Sequence, residues 1–149
     1  MPTLQQRLVG SWRLISYEVR DADGERVGYP LGEDATGSLI YTADGLMSVQ
    51  LMRPDRPRYR SGGIGDGTDA ESAAAARGYV AYAGPYRVER DAVVVHEPAM
   101  SLFPNWVDTT MVRDVVLDEP RLELTTPKPL PFGGRELIAV LLWERVEPA

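Results

Sequence analysis

Apolar and polar residues alternate with a period of two through most of this chain, and one alanine-rich stretch breaks the rhythm with a pattern suited to a helix. Trp12 to Arg20 alternates well enough for a strand. Asp21-Ala22-Asp23-Gly24 then supplies turn chemistry before Arg26-Val27-Gly28-Tyr29-Pro30, which predicts a first hairpin. A sharper signal follows, because Gly37 to Thr42 and Leu46 to Met52 flank Asp44-Gly45, a dipeptide that tolerates the positive φ of a type I′ turn. With Asp44 and Gly45 as the two loop residues, Thr42 faces Met47, Ile40 faces Val49 and Ser38 faces Leu51, while Tyr41 faces Ser48 and Leu39 faces Gln50. Both faces of this hairpin then carry apolar residues. The outer face calls for a cover, which residues 68–83 can supply; a homodimer would serve equally.

Thr68-Asp69-Ala70-Glu71 places a hydroxyl at a helix N-cap and an acid three residues later, and the run Ser72 to Arg77 is rich in the best helix former. The spacing predicts one inserted helix over 68–83. Its preface, Ser61 to Gly67, is too glycine-rich for regular structure and lacks the lysine and helix-entry spacing of a phosphate loop, so it reads as a hinge. Beyond Gly84-Pro85 the strands return at Tyr86–Glu89, Ala92–Glu97, Thr110–Leu117, Arg121–Thr125 and Glu136–Trp143, with Phe103-Pro104-Asn105-Trp106 between two of them. The proline run Thr126 to Pro131 is a rigid loop before the last strand, with docking to another protein a weaker reading. The pattern predicts an all-β, antiparallel up-and-down barrel of about 8–10 strands. No repeat or composition break divides residues 1–149, which are read as a single barrel domain.

The two ends of the pattern are informative. Leu8-Val9-Gly10-Ser11-Trp12 steps into the first strand, and Leu142-Trp143-Glu144-Arg145-Val146 closes the last with a cation beside a tryptophan. In a barrel whose first and last strands pair, Trp12 can plug the closed end with an arginine packed on its ring. Those ends, the meander of hairpins, the phrase from Gly37 to Gln50, the alanine-rich helix and Ser101-Leu102-Phe103-Pro104-Asn105-Trp106 together resemble the bacterial lipocalin-like domain family, a calycin-type small β-barrel, over nearly the whole chain. The resemblance implies a closed or nearly closed barrel with an internal pocket, on a fold whose members include carriers and biosynthetic cyclases or isomerases. The start is also similar to intracellular fatty-acid-binding proteins. Those hold a carboxylate with Arg-x-Tyr on the final strand, where this chain has Leu141-Leu142-Trp143.

Charge narrows the partners. Twenty-two acidic against 16 basic residues give a net charge of −6, which argues against nucleic acid. The local exception, four arginines between Arg53 and Arg60, is interrupted by two prolines and an aspartate and reads as a solvated loop before an anion-binding patch. Cysteine is absent, no apolar run reaches the length of a membrane span and the first residues lack a signal-peptide pattern, so a cytoplasmic location is expected.

Candidate chemistry is sparse. His96, the sole histidine, has Glu97 beside it, but adjacent strand residues point to opposite faces, so the two are no dyad. With one histidine and no cysteine a zinc site is excluded, and neither metal nor cofactor is expected. No Gly-x-Ser-x-Gly elbow surrounds any serine. An inward Arg113, on the face of Met111, Val115 and Leu117, would bind an anionic or carbonyl-bearing ligand, or else pair with Glu18, which with Arg20 shares the face of Trp12, Leu14 and Ser16. Phe103 and Trp106, with Tyr79, Tyr82 and Tyr86 near the helix, can form an aromatic mouth; Trp12 and Trp143 read as core. The methionines Met47, Met52, Met100 and Met111 suit gap-filling or an adaptable pocket.

Three functions fit. The first is binding of a small, mostly apolar molecule in the cavity, with Tyr41, Gln50, Met52, His96, Phe103, Trp106, Met111 and Arg113 as ligand-binding candidates. The second is a cofactor-independent cyclase or isomerase acting on a small hydrophobic, polyketide-like substrate, in which His96 and Arg113 would be catalytic. The third is a filled barrel without a pocket.

Overall fold

A computed structural model describes residues 1–147. In chain order the elements are α1 (Leu4–Leu8), β1 (Gly10–Arg20), β2 (Arg26–Gly28), β3 (Thr36–Tyr41), β4 (Leu46–Met52), α2 (Asp69–Arg77), β5 (Tyr79–Arg90), β6 (Val93–His96), β7 (Met100–Ser101), β8 (Met111–Asp118), β9 (Arg121–Thr125), β10 (Leu130–Phe132) and β11 (Arg135–Arg145). All strand pairings are antiparallel. Eight strands run β11-β9-β8-β6-β5-β4-β3-β1, and β1 pairs back onto β11 to close the barrel; β2, β7 and β10 add to its margins. No helix among the described residues is long and apolar enough to cross a membrane.

One end of the barrel is sealed as its sequence predicts. Trp12 is fully buried, its indole N–H donates to Leu8 O at 2.9 Å, and the Arg145 guanidinium lies 4.2 Å over its ring. Arg145 also donates to Val9 O and Arg7 O and pairs with Glu119 at 2.7 Å. Gly10 makes the approach feasible: its φ of +130° belongs to glycine, and a Cβ there would sit 2.8 Å from the Arg145 guanidinium.

Three local details differ from the sequence pattern, and each has a backbone cause. The β3–β4 hairpin is closed by three residues, Ala43-Asp44-Gly45, with Thr42 N–H donating to Leu46 O and Gly45 at φ +93°, the geometry of a three-residue loop ending in a left-handed glycine. The register therefore moves by one residue, pairing Tyr41 with Met47, Leu39 with Val49 and Ile40 with Ser48. Tyr41, Leu39, Met47, Val49 and Leu51 all become interior, while Ile40 and Leu46 stay exposed on the outer face.

The second detail is a register shift between Leu14 and Ser16 in the β1–β11 pairing. The extra residue, Ile15, reverses the alternation, so Trp12 and Leu14 face inward and are followed inward by Tyr17 and Val19. Glu18 and Arg20 turn outward and pair with each other at 3.2 Å, so no internal salt bridge awaits Arg113.

The third is the helix. The Thr68–Glu71 capping box forms as the spacing predicts, but α2 stops at Arg77, where Gly78 N–H closes onto Ala74 and Ala75 carbonyls. Residues 79–83, expected as helix, alternate with period two and belong to β5. No α2 residue is buried, and the helix lies against β5 at the open end rather than over the hairpin.

Candidate functional site

The barrel is not filled. Toward the end opposite Trp12 it encloses a cavity of about 260 Å³, walled by apolar residues such as Leu39, Val49, Leu51, Leu124 and Leu141, with Pro30, Leu31, Arg77 and Phe132 toward its opening. A broader groove of about 590 Å³ adjoins it and shares Trp106, Arg113, Thr126 and Leu130 with the cavity. Arg53 and Arg56 are not a free anion patch: Arg53 donates to Pro30 O, and Arg56 donates to Ala75 O and lies 5.0 Å over the Tyr79 ring, tying the arginine loop to elements beside the opening.

The cavity has one polar side. His96 ends β6, opposite Tyr86 on β5 and Met111 on β8. Just beyond it, residues 97–99 cross close over β5, with Glu97 N–H on Pro85 O and Ala99 N–H on Ala83 O. Gly84 allows this, since a Cβ there would lie 2.3 Å from Glu97 O. The His96 side chain is 1% exposed. Its Nε2 meets the Tyr41 hydroxyl at 2.7 Å and its Nδ1 meets the Tyr82 hydroxyl at 2.9 Å. Glu97 turns outward, as strand alternation requires, and binds Arg87 at 3.0 Å.

Arg113 faces the same space from β8. It donates to Val112 O at 2.9 Å, its guanidinium also stands within hydrogen-bonding reach of the Tyr82 hydroxyl, and no carboxylate among the described residues pairs with it. Electrostatics follow from burial next to a cation. Desolvation, reinforced by Arg113, drives the His96 imidazole down to about 3. Desolvation also pushes the Tyr17 phenol up to about 12 and raises Tyr82, in each case against the pull of Arg113, and holds Tyr41 well above the ordinary range. Near neutral pH the side therefore consists of a neutral imidazole, protonated phenols and one guanidinium. Among the described residues no three His, Asp or Glu side chains gather as a metal site needs.

Of the candidates read from sequence, His96, Arg113 and Trp106 line the cavity, and Tyr41 stands behind His96. Trp106 sits edge-on to Tyr82 at 5.7 Å and to Phe103 at 5.2 Å, but Phe103 itself is exposed and does not line the cavity. Met111 is buried in the wall of the neighbouring groove. Gln50 and Met52 lie on the outer face of β4, where Gln50 accepts from the Tyr79 hydroxyl. Four polar residues that line the cavity, Tyr17, Arg77, Tyr82 and Thr126, were not among the site candidates, and two of them belong to its polar side. Tyr17 is turned inward by the β1 bulge, and Tyr82, read only as part of an aromatic mouth, reaches the interior opposite Val49.

This geometry can be set beside known proteins. A sequence model of the lipocalin-like domain matches residues 9–146. The chain belongs to the lipocalin-like domain family. Within reach of the family lies a fungal relative, the 4'-hydroxy-3'-methoxypropiophenone carrier protein ppsC of Aspergillus oryzae, 39% identical over 107 residues that cover 67% of this chain and 96% of the relative. The lipocalin-like assignment accounts for the closed antiparallel barrel, and the cavity described above is what this member of the family builds inside it.

Proposed function

We propose that this lipocalin-like barrel binds and carries one small, mostly apolar molecule, held in the 260 Å³ cavity with an oxygen function against Tyr82 and Arg113. The observation that carries the reading is the cavity itself: apolar walls with a few polar groups converging on one side, the usual composition of a small-molecule site. The relative's description as the carrier of an aryl ketone supports the same class of ligand, one substituted aromatic ring with short polar substituents. The catalytic alternative lacks comparable support. A general base near neutrality wants a pKa near the working pH and a free lone pair, whereas His96 is driven to about 3 and both its nitrogens are engaged. The lack of cysteine supports a cytoplasmic location.

The test is titration of the protein with 4'-hydroxy-3'-methoxypropiophenone, followed by calorimetry and by quenching of Trp106 and Trp143 fluorescence. A dissociation constant on the order of micromolar is expected for a ligand of this size. Ala139→Leu, which adds bulk to the cavity wall, should abolish binding while the thermal transition persists. Equal affinity in wild type and Ala139→Leu would place the ligand elsewhere and defeat the reading.

A further inference from the structure

The polar side of the cavity has a direction. A neutral imidazole carries one N–H and one lone pair, so of the two tyrosines at His96 one donates its proton to the ring and the other receives the ring's proton. The receiving tyrosine keeps its own O–H free for a further partner. Tyr41 is fully buried, does not line the cavity and has no second hydrogen-bond partner among the described residues. Were Tyr41 the receiver, its O–H would be stranded in the core, at the full desolvation cost of an unmade hydrogen bond. Tyr82 does line the cavity, so its O–H has somewhere to go. The arrangement that strands nothing is Tyr41 O–H donating to Nε2, Nδ1–H donating to the Tyr82 oxygen, and the Tyr82 O–H aimed at a ligand.

The other polar groups agree. No carboxylate lines the cavity among the described residues; Arg113 is a donor without a carboxylate, and the buried indole N–H of Trp143, which also lines the cavity, has no partner. Tyr17 can donate or accept and sets no direction. Burial outweighs Arg113 at each of the cavity's phenols, so the space disfavours charge even beside the cation.

We infer that the cavity selects an uncharged ligand bearing a hydrogen-bond acceptor, a ketone-type carbonyl oxygen, which takes the Tyr82 O–H and an Arg113 N–H, and that Tyr41 is the positioning residue that fixes this polarity through the His96 tautomer. This inference rests on the binding reading above and adds the ligand's functional group. Donation by a tyrosine that itself accepts from a polarised ring also strengthens each bond in the chain.

His96 is the chain's single histidine, so ¹⁵N-histidine labelling gives its two ring resonances without assignment. The ligand-free protein should show a protonated Nδ1 and an unprotonated Nε2, unchanged from about pH 8 to about pH 5, because the groups facing the ring are Tyr41 from β3, Tyr82 and Tyr86 from β5 and Arg113 from β8, with no carboxylate among them. A protonated Nε2 overturns the inference. In parallel, propiophenone, the phenylpropanol its reduction gives and phenylpropanoate are titrated. The ketone should bind at least about tenfold more tightly than the alcohol, whose own O–H would be left unpaired. Tyr82→Phe should reduce that preference to about twofold. Tyr41→Phe, checked by its melting transition, should do the same while leaving Tyr82 and Arg113 in place. Equal binding of ketone and alcohol, or tightest binding of phenylpropanoate, overturns the inference and leaves the carrier reading intact; failure of all three to bind overturns the carrier reading and the inference with it.

Discussion

The two ends of the barrel hold similar groups and treat them differently. At the sealed end, Arg145 stacks on Trp12, and both side chains have internal partners: Leu8 O takes the indole N–H, while Val9 O, Arg7 O and Glu119 take the guanidinium. In the cavity, Arg113 has one backbone carbonyl and the nearby Tyr82 hydroxyl but no carboxylate, and among the described residues the Trp143 N–H has no partner. The same pair of residue types thus serves as a structural plug at one end and as a set of unspent donors in the interior. Satisfied buried donors stabilise a fold, and unsatisfied ones cost stability unless something arrives to meet them.

The largest effect that would break this contrast is at the plug. Trp12→Ala should cost about 3–5 kcal/mol, the range for deleting a large buried aromatic, seen as a shift of the urea midpoint. Next comes acid. The folded-state pKa of His96 lies at about 3, below the ordinary value of 6.5, so the unfolded chain takes up a proton that the native protein refuses. The stability this contributes is complete above about pH 6.5 and declines as pH falls toward 3, with a slope near 1.4 kcal/mol per pH unit for one proton. His96→Asn should flatten that slope in urea melts between about pH 6 and pH 4; an unchanged slope would mean the imidazole is not the group responsible. Glu119, held below its usual range by hydrogen bonding to Arg145, adds a smaller loss at the acid end.

The sharpest comparison is between the two arginines. Arg145→Met removes a paired cation and should cost about 1–3 kcal/mol, chiefly by stranding the carbonyls and the Glu119 carboxylate it serves. Arg113→Met removes a cation without a carboxylate and should leave the urea midpoint unchanged or slightly raised, while weakening ketone binding about tenfold. Equal destabilisation by both substitutions would show that Arg113 is as structural as Arg145.

Much of this was legible in the chain. Trp12 and Arg145 name each other because a Gly-x-Trp start and a Trp-Glu-Arg finish have little else to do in a closed meander, and the Thr68–Glu71 cap is a local signal that needs no tertiary context. His96 and Arg113 stood out because single polar residues in apolar strands must go somewhere. What escaped the pattern were events of one residue. The bulge at Ile15 and the third loop residue at Ala43 each reverse which side chains face inward, and period-two alternation carries no marker for a single extra residue. Tyr17 was missed as a site residue on the first account, and Tyr82 because α2 ends at Gly78 and lets strand alternation begin earlier than the alanine run suggests.

The seam between β1 and β11 has a kinetic side. Every other pairing in the barrel joins strands near in sequence, whereas this one brings Trp12 to Arg145. During synthesis the growing chain can form only an open, curved sheet with two raw edges until the last strand has left the ribosome, since loop closure of that span precedes any gain from it. Ala139, Leu141 and Trp143 on that strand are walls of the cavity, so no enclosed binding space exists before the seam forms. A ligand cannot template the barrel. It can only retain it once made, by mass action on the finished state, which makes occupancy a brake on unfolding rather than an aid to folding.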